Sequence, residues 1–430
     1  MSNSIEDSHV VGLCKGIKVE TGAEGRCSKE ESSHGVRDQA AVESWEHGPT
    51  QTNVSRSLST STLSDSTAPS SPPTSSSSFC LDVQRIEPTS NTPDFYLASS
   101  PGRQIGLFAS RTLRRGELIL SESPLLTVSY RSAISSAVAA LPSDAQSAFY
   151  ALSNAYKDEE PEPGIFDTNG FSLSSASSSS PPSFGIFPLT SRLNHSCVPN
   201  VKASYDPLSR RMRTHVLRTI DPGEELFTAY LGRRDLYGLE SCRRRERLKK
   251  GWNFDCRCEV CAATATADEG AQMEASDRRR RRLGELRRDA AAGVRPRDVE
   301  RVLRECGEAL KLLEEERICL DGDEFALAAA RACAFAQDYA SARIWALVGW
   351  KSAREEYGGD GELAKRLAEV VREPRKLLPP GLKGERRELG TLTGELLGTR
   401  IELDCEEGES LLAKVSGRLR GLFVRSPNTR

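Results

Sequence analysis

The chain has 430 residues, a net charge of −2 and a hydrophobic fraction of 37%. That fraction lies below the roughly 45% of a fully globular chain, so part of the protein is expected to stay unfolded. The near-neutral balance excludes nucleic-acid binding through overall charge, and no stretch reaches the roughly 18 consecutive apolar residues of a membrane helix.

The start, Met1-Ser-Asn-Ser-Ile-Glu-Asp7, has neither the basic nor the apolar region of a secretory signal. A soluble intracellular protein is the expectation. In such a chain the 12 cysteines point to metal ligation rather than a disulfide framework.

In chain order, residues 1–88 read as a disordered tail, because the Ser/Thr/Pro run at 55–78 offers too little apolar surface to offset chain entropy. Residues 89–240 read as a β-rich domain. Ile105-Gly-Leu-Phe-Ala109 leads into a strand–turn–strand unit around Gly116. The same grammar recurs at Thr219–Phe227 around Pro222-Gly223, and Val201–Leu217 also reads as strand. A low-complexity surface loop at 172–184 interrupts this domain.

Residues 241–262 carry a cysteine cluster, and 263–297 read as a basic linker whose Arg278–Arg282 run is a solvated face, with an import or acidic-partner patch as the minority reading. Over 298–375 helical periodicity appears. Val299, Val302, Leu303, Cys306, Leu310 and Leu313 share one face, Ala-rich runs follow, and Gly358-Gly359 is a stop signal. Residues 376–430 read as a weakly defined tail. The fold class is α+β.

Cys256, Cys258 and Cys261 form C-x-C-x-x-C, three thiolates within six residues and one short of a closed tetrahedral zinc site. Cys197, in the polar turn-like segment Asn194-His-Ser-Cys197, is the better candidate for the fourth ligand. Cys242, nearer in sequence but within a basic helical stretch, is the rival. Read alone, His195 is a structural hydrogen-bonder, Tyr230 a strand-end aromatic, and His215 a mid-strand residue with no role.

Asn194-His-Ser-Cys-Val-Pro-Asn200, then Gly223-Glu-Glu-Leu and Tyr230, then Cys256-x-Cys-x-x-Cys261 resemble, in order, the signature of SET-domain protein lysine methyltransferases. The resemblance covers roughly 95–262 and is nearest the Smyd-like (SET/MYND) branch and its fungal relatives lacking the MYND finger. No cysteine lies between Tyr130 and Phe187, so that finger cannot form here. The helices at 298–375 resemble that branch's tetratricopeptide-like hairpins.

The resemblance implies a β-rich SET domain of small β-clip-like sheets, a zinc-pinned post-SET segment at 241–262 and a helical C-terminal domain. It implies S-adenosyl-L-methionine as cofactor, contacted by Arg103, Ile105, Gly106, Asn169, Ser191, Asn194, His195, Tyr230 and Phe254. Tyr230 is the implied catalytic tyrosine, and Cys197, Cys256, Cys258 and Cys261 the ligands of one structural Zn2+. The implied reaction is transfer of a sulfonium methyl to the lysine of a protein substrate, a histone or another protein, by a monomeric nuclear or cytoplasmic enzyme that touches neither nucleic acid nor membrane.

One departure stands out. Gln104 occupies the first glycine position of the family's Gly-x-Gly, and a positive φ there would disfavour glutamine. It supports the alternative function, an inactive SET scaffold for protein interaction. A purely zinc-organised interaction module is the third reading.

Overall fold

The computed structural model describes residues 93–173, 182–262, 267–291 and 298–398, so the tail at 1–88 and the tip of the 172–184 loop lie outside the described residues. No helix among them is long and apolar enough to cross a membrane.

Four small sheets make up the β-rich half. β1 (Phe95–Ser100) and β2 (Gln104–Ala109) form an antiparallel hairpin. Its turn follows from Pro101-Gly102: Gly102 takes φ +73°, and the Arg103 N–H donates to the Ser100 carbonyl at 3.0 Å. β3 (Leu118–Glu122) pairs with β9 (Arg211–Val216), which pairs with β8 (Val201–Asp206), all antiparallel. β4 (Leu126–Val128), β6 (Phe184–Ile186) and β5 (Phe171–Ser172) form the third sheet, in that order. The fourth is a two-residue parallel pair, β7 (Asn194–His195) with β10 (Phe227–Thr228).

Between β4 and β5 lie three short helices that apolar periodicity did not mark, α1 (Ile134–Ala139), α2 (Ser143–Tyr150) and α3 (Pro161–Asn169). α4 (Arg233–Gly238) and α5 (Ser241–Trp252) follow β10. Asn253 closes α5 in the left-handed conformation, φ +55°, which asparagine tolerates better than most residues. The chain therefore reverses between Trp252 and Phe254.

Within the span read as a basic linker, residues Ala267–Ala291 form a 25-residue helix, α6. Its apolar face is only Leu283 and Leu286, too sparse to register as a stripe. Charged pairs hold it instead. Arg282 reaches Glu308 at 2.8 Å, and Arg280, fully buried, reaches Glu316 at 2.7 Å.

α7 (Val299–Glu315), α8 (Gly322–Phe335), α9 (Tyr339–Tyr357) and α10 (Glu362–Arg372) then pack as hairpins around Trp345. Small residues sit where helices touch, as a Cβ on Gly349 would meet Ala326 at 3.3 Å. The Asp338 carboxylate caps α9 through the Ser341 N–H, and Gly358, φ +86°, ends it. Within 376–430, α11 (Gly390–Leu397) also docks, burying Leu397.

Charge joins the two halves. Lys202 on β8 meets Glu356 at 2.8 Å, and Arg233 on α4 pairs with Asp321 and Glu324. Asp323 lies beside Asp321 and Glu356 in the same buried cluster. Burial, followed by repulsion from Glu356, pushes its carboxyl well above the usual range, so two cations face four acids and Asp323 favours its protonated form.

Candidate active site and cysteine cluster

β7, β10 and the β1–β2 hairpin converge on Glu225. Its carboxylate accepts from the Ser100 hydroxyl at 2.8 Å and the Asn194 amide at 2.7 Å, and lies 3.8 Å from the Arg103 guanidinium. Arg103 also stacks over Phe227 at 5.0 Å. The Asn194 amide is turned further toward the Ile105 carbonyl, 3.4 Å away. Gly106 lies against this group, where a Cβ would fall 2.4 Å from Glu225 Oε1 and 3.0 Å from Asn194 Nδ2. A side chain there has no room.

Gln104 does adopt a positive φ, 70°. The left-handed conformation costs a non-glycine residue about 1 kcal/mol. Its side-chain carbonyl accepts from the Ser153 hydroxyl at 2.9 Å. The Ser153 carbonyl in turn accepts from Asn169 at 2.7 Å, and the Asn169 carbonyl accepts from the Ser191 hydroxyl at 3.4 Å. The Asn169 amide is thus turned toward Ser153 and its own helix, where it also reaches the Ile165 carbonyl.

Beside this group sits an aromatic wall. The Tyr230 ring lies 5.2 Å from Trp252, 5.3 Å from His195 and 6.2 Å, edge-on, from Phe254. The Tyr230 hydroxyl donates to the Leu193 carbonyl at 2.8 Å. Desolvation, then the negative charge of Glu225, pushes that hydroxyl well above the ordinary tyrosine value, so it stays protonated. His195 Nδ1 accepts from the Tyr230 N–H at 2.9 Å, which leaves Nε2 as the protonated nitrogen, 3.2 Å from Cys197 Sγ. Burial lowers its pKa to about 4, so the ring is a neutral spacer between the wall and the cysteines.

Cys197, Cys256, Cys258 and Cys261 are buried, unbridged, and bring their sulfurs within 4.8 Å of one another. Zinc–sulfur bonds of about 2.3 Å set tetrahedral sulfurs about 3.8 Å apart. The 3.6 Å between Cys197 and Cys261 fits that figure. Cys242 is exposed and outside the group. The cluster has cationic support: buried Arg244 reaches Cys261 Sγ at 3.5 Å, and Arg280 donates to the Cys197 carbonyl at 3.1 Å. Mutual hydrogen bonding holds the Cys258 and Cys261 thiols low and pushes Cys197 and Cys256 up.

The SET domain family matches residues 104–231. The histone-lysine N-methyltransferase set5 of Schizosaccharomyces pombe is 31% identical over 317 residues, covering 71% of this chain and 94% of that protein. The chain belongs to the SET-domain family of protein-lysine methyltransferases. Shorter matches join it to the SMYD proteins. The human N-lysine methyltransferase SMYD2 is 40% identical over 76 residues, 18% of this chain and 16% of that protein. Mouse histone-lysine N-methyltransferase Smyd1 is 36% identical over 110 residues, 23% of this chain and 21% of that protein.

In this SET domain the segments carrying Arg103, Ile105, Gly106, Asn169, Ser191, Asn194, His195, Tyr230 and Phe254 come together in one region. Four residues that organise it have no distinctive sequence signal. In the sequence Glu225 is half of Glu224-Glu225, Arg244 and Arg280 are members of arginine runs, and Trp252 belongs to no motif. Glu225 finds its partner Asn194 31 residues upstream only when β7 and β10 pair.

Proposed function

We propose that the protein is an S-adenosyl-L-methionine-dependent protein-lysine N-methyltransferase. The observation that carries this reading is the anchoring of Asn194 and the 103–106 hairpin on Glu225, with Tyr230 held beside them on Leu193 and His195. Because Asn194 Nδ2 faces Glu225 and Ile105, its Oδ1 is left as an acceptor, a chemistry suited to the ammonium of the cofactor's amino-acid end. Gly106, with no space for a Cβ, keeps the hairpin backbone close.

When bound, the cofactor supplies an electrophilic methyl on sulfonium. The protein's own part is alignment and desolvation. A lysine, about 10.4 in free pKa, must arrive or become neutral to attack. The wall of Tyr230, Trp252 and Phe254 favours the neutral amine by excluding water. No general base is assigned: the Tyr230 hydroxyl is protonated and spent on Leu193, and both His195 nitrogens are engaged. The lysine therefore gives its proton to bulk water before it enters the wall, and the Tyr230 oxygen, its proton on Leu193, orients the reacting groups as an acceptor.

Cys197, Cys256, Cys258 and Cys261 would hold one structural Zn2+, which would tie the turn carrying Phe254 to the strand carrying Asn194. The substrate is a protein lysine, with histones the first to assay because set5 and Smyd1 are named for them. The site of action is nuclear, cytoplasmic or both.

Isothermal titration calorimetry with S-adenosyl-L-methionine tests the cofactor assignment. Wild type is expected to bind, and Asn194→Ala and Gly106→Ala to weaken binding at least tenfold, about 1.4 kcal/mol. A wild type that neither binds the cofactor nor its demethylated product contradicts the reading and returns the protein to the scaffold alternative.

A further inference from the structure

The conformation of Gln104 is costly, and glycine would adopt it freely. What glutamine adds is one bond, its Oε1 to the Ser153 hydroxyl at 2.9 Å, across 49 residues of chain. Ser153 is also the residue whose carbonyl holds Asn169. The contacts therefore close a ring: Gln104 to Ser153, Ser153 to Asn169, Asn169 to Ser191, along the chain to Asn194, and from Asn194 back to Ile105. Four of the proposed cofactor contacts lie on that ring. The bond between Gln104 and Ser153 is an exposed link in it, and it joins the hairpin tip to the segment after α2 without using a group that a ligand needs.

We propose that Gln104 and Ser153 form a latch across the mouth of the cofactor cleft, which opens to admit or release S-adenosyl ligands. The inference rests on the cofactor assignment above. A neutral, exposed hydrogen bond is worth little and breaks readily, as a gate requires. The hairpin tip can move about Gly102, φ +73°, while Gly106 stays paired with Ala98 and Ala109 stays bonded to Glu224 at the base. The latch touches protein on both sides. It therefore slows entry and exit alike, whereas a ligand contact would slow exit alone.

Stopped-flow binding of S-adenosyl-L-methionine and of S-adenosyl-L-homocysteine tests this in wild type, Ser153→Ala, Gln104→Ala and the double variant. Both the association and dissociation rate constants are expected to rise about fivefold in each single variant, the worth of one net hydrogen bond. Kd stays within about twofold, and the double variant goes no further. Unchanged rates overturn the latch. So does faster dissociation alone with Kd weakened in proportion, which would make Gln104 a ligand contact. Binding by none of the proteins, wild type included, overturns the cofactor assignment together with the latch.

Discussion

Tyr230→Phe is expected to bind S-adenosyl-L-methionine within about threefold of wild type and to lose about 10²-fold in methyl transfer, a cost near 2.7 kcal/mol. The ring keeps its packing against His195, Trp252 and Phe254, so the wall survives. What disappears is the hydroxyl held on the Leu193 carbonyl. Desolvation keeps that hydroxyl protonated far above neutral pH, which makes it a fixed donor and orienting group rather than a base. The loss should therefore fall on kcat and leave the shape of the pH profile between 6 and 9 unchanged. Steady-state rates beside calorimetric Kd values check both points. A variant with wild-type kcat would remove Tyr230 from the chemistry.

Loss of the metal has the second large effect. The purified protein is expected to carry about one zinc per chain, and Cys258→Ser or a strong chelator to lower the melting midpoint by about 10 °C and abolish methyl transfer. Four buried sulfurs bring together segments that carry the site: Cys197 lies two residues after His195, and Cys256 two after Phe254. Without a cation, four crowded thiols cannot all ionise, and Arg244 and Arg280 lose the charge that they offset. Cys242→Ser is the control, and should keep both metal and stability. Metal content by atomic absorption, with calorimetric melting, decides it. A chelated protein that melts and works as before would dismiss a structural role.

Local motifs made much of this legible in advance. Asn194–Asn200 and Cys256–Cys261 are short, chemically distinctive runs, and a sharp turn such as Gly116 or Pro222-Gly223, or a stop such as Gly358, announces itself through one residue's conformational freedom. Less legible were features set by distant partners. Glu225 gains its meaning from Ser100, 125 residues away, and from Asn194. Arg280 reads as a solvated arginine until Cys197 and Glu316 close over it. Helix α6 escaped because its stability comes from ion pairs and two leucines rather than an apolar stripe. The cost at Gln104 was foreseeable from the glycine it replaces, but its bond to Ser153 was not, because nothing in the sequence brings those residues together.

The account stands most directly on one measurement: incubation with S-adenosyl-L-[methyl-3H]methionine and core histones or a methylation-poor cell extract, followed by hydrolysis and amino-acid separation. The expected result is label in methyl-lysine with wild type and its loss with Asn194→Ala. Absence of label with every substrate, from a protein that also fails to bind the cofactor, would contradict the account.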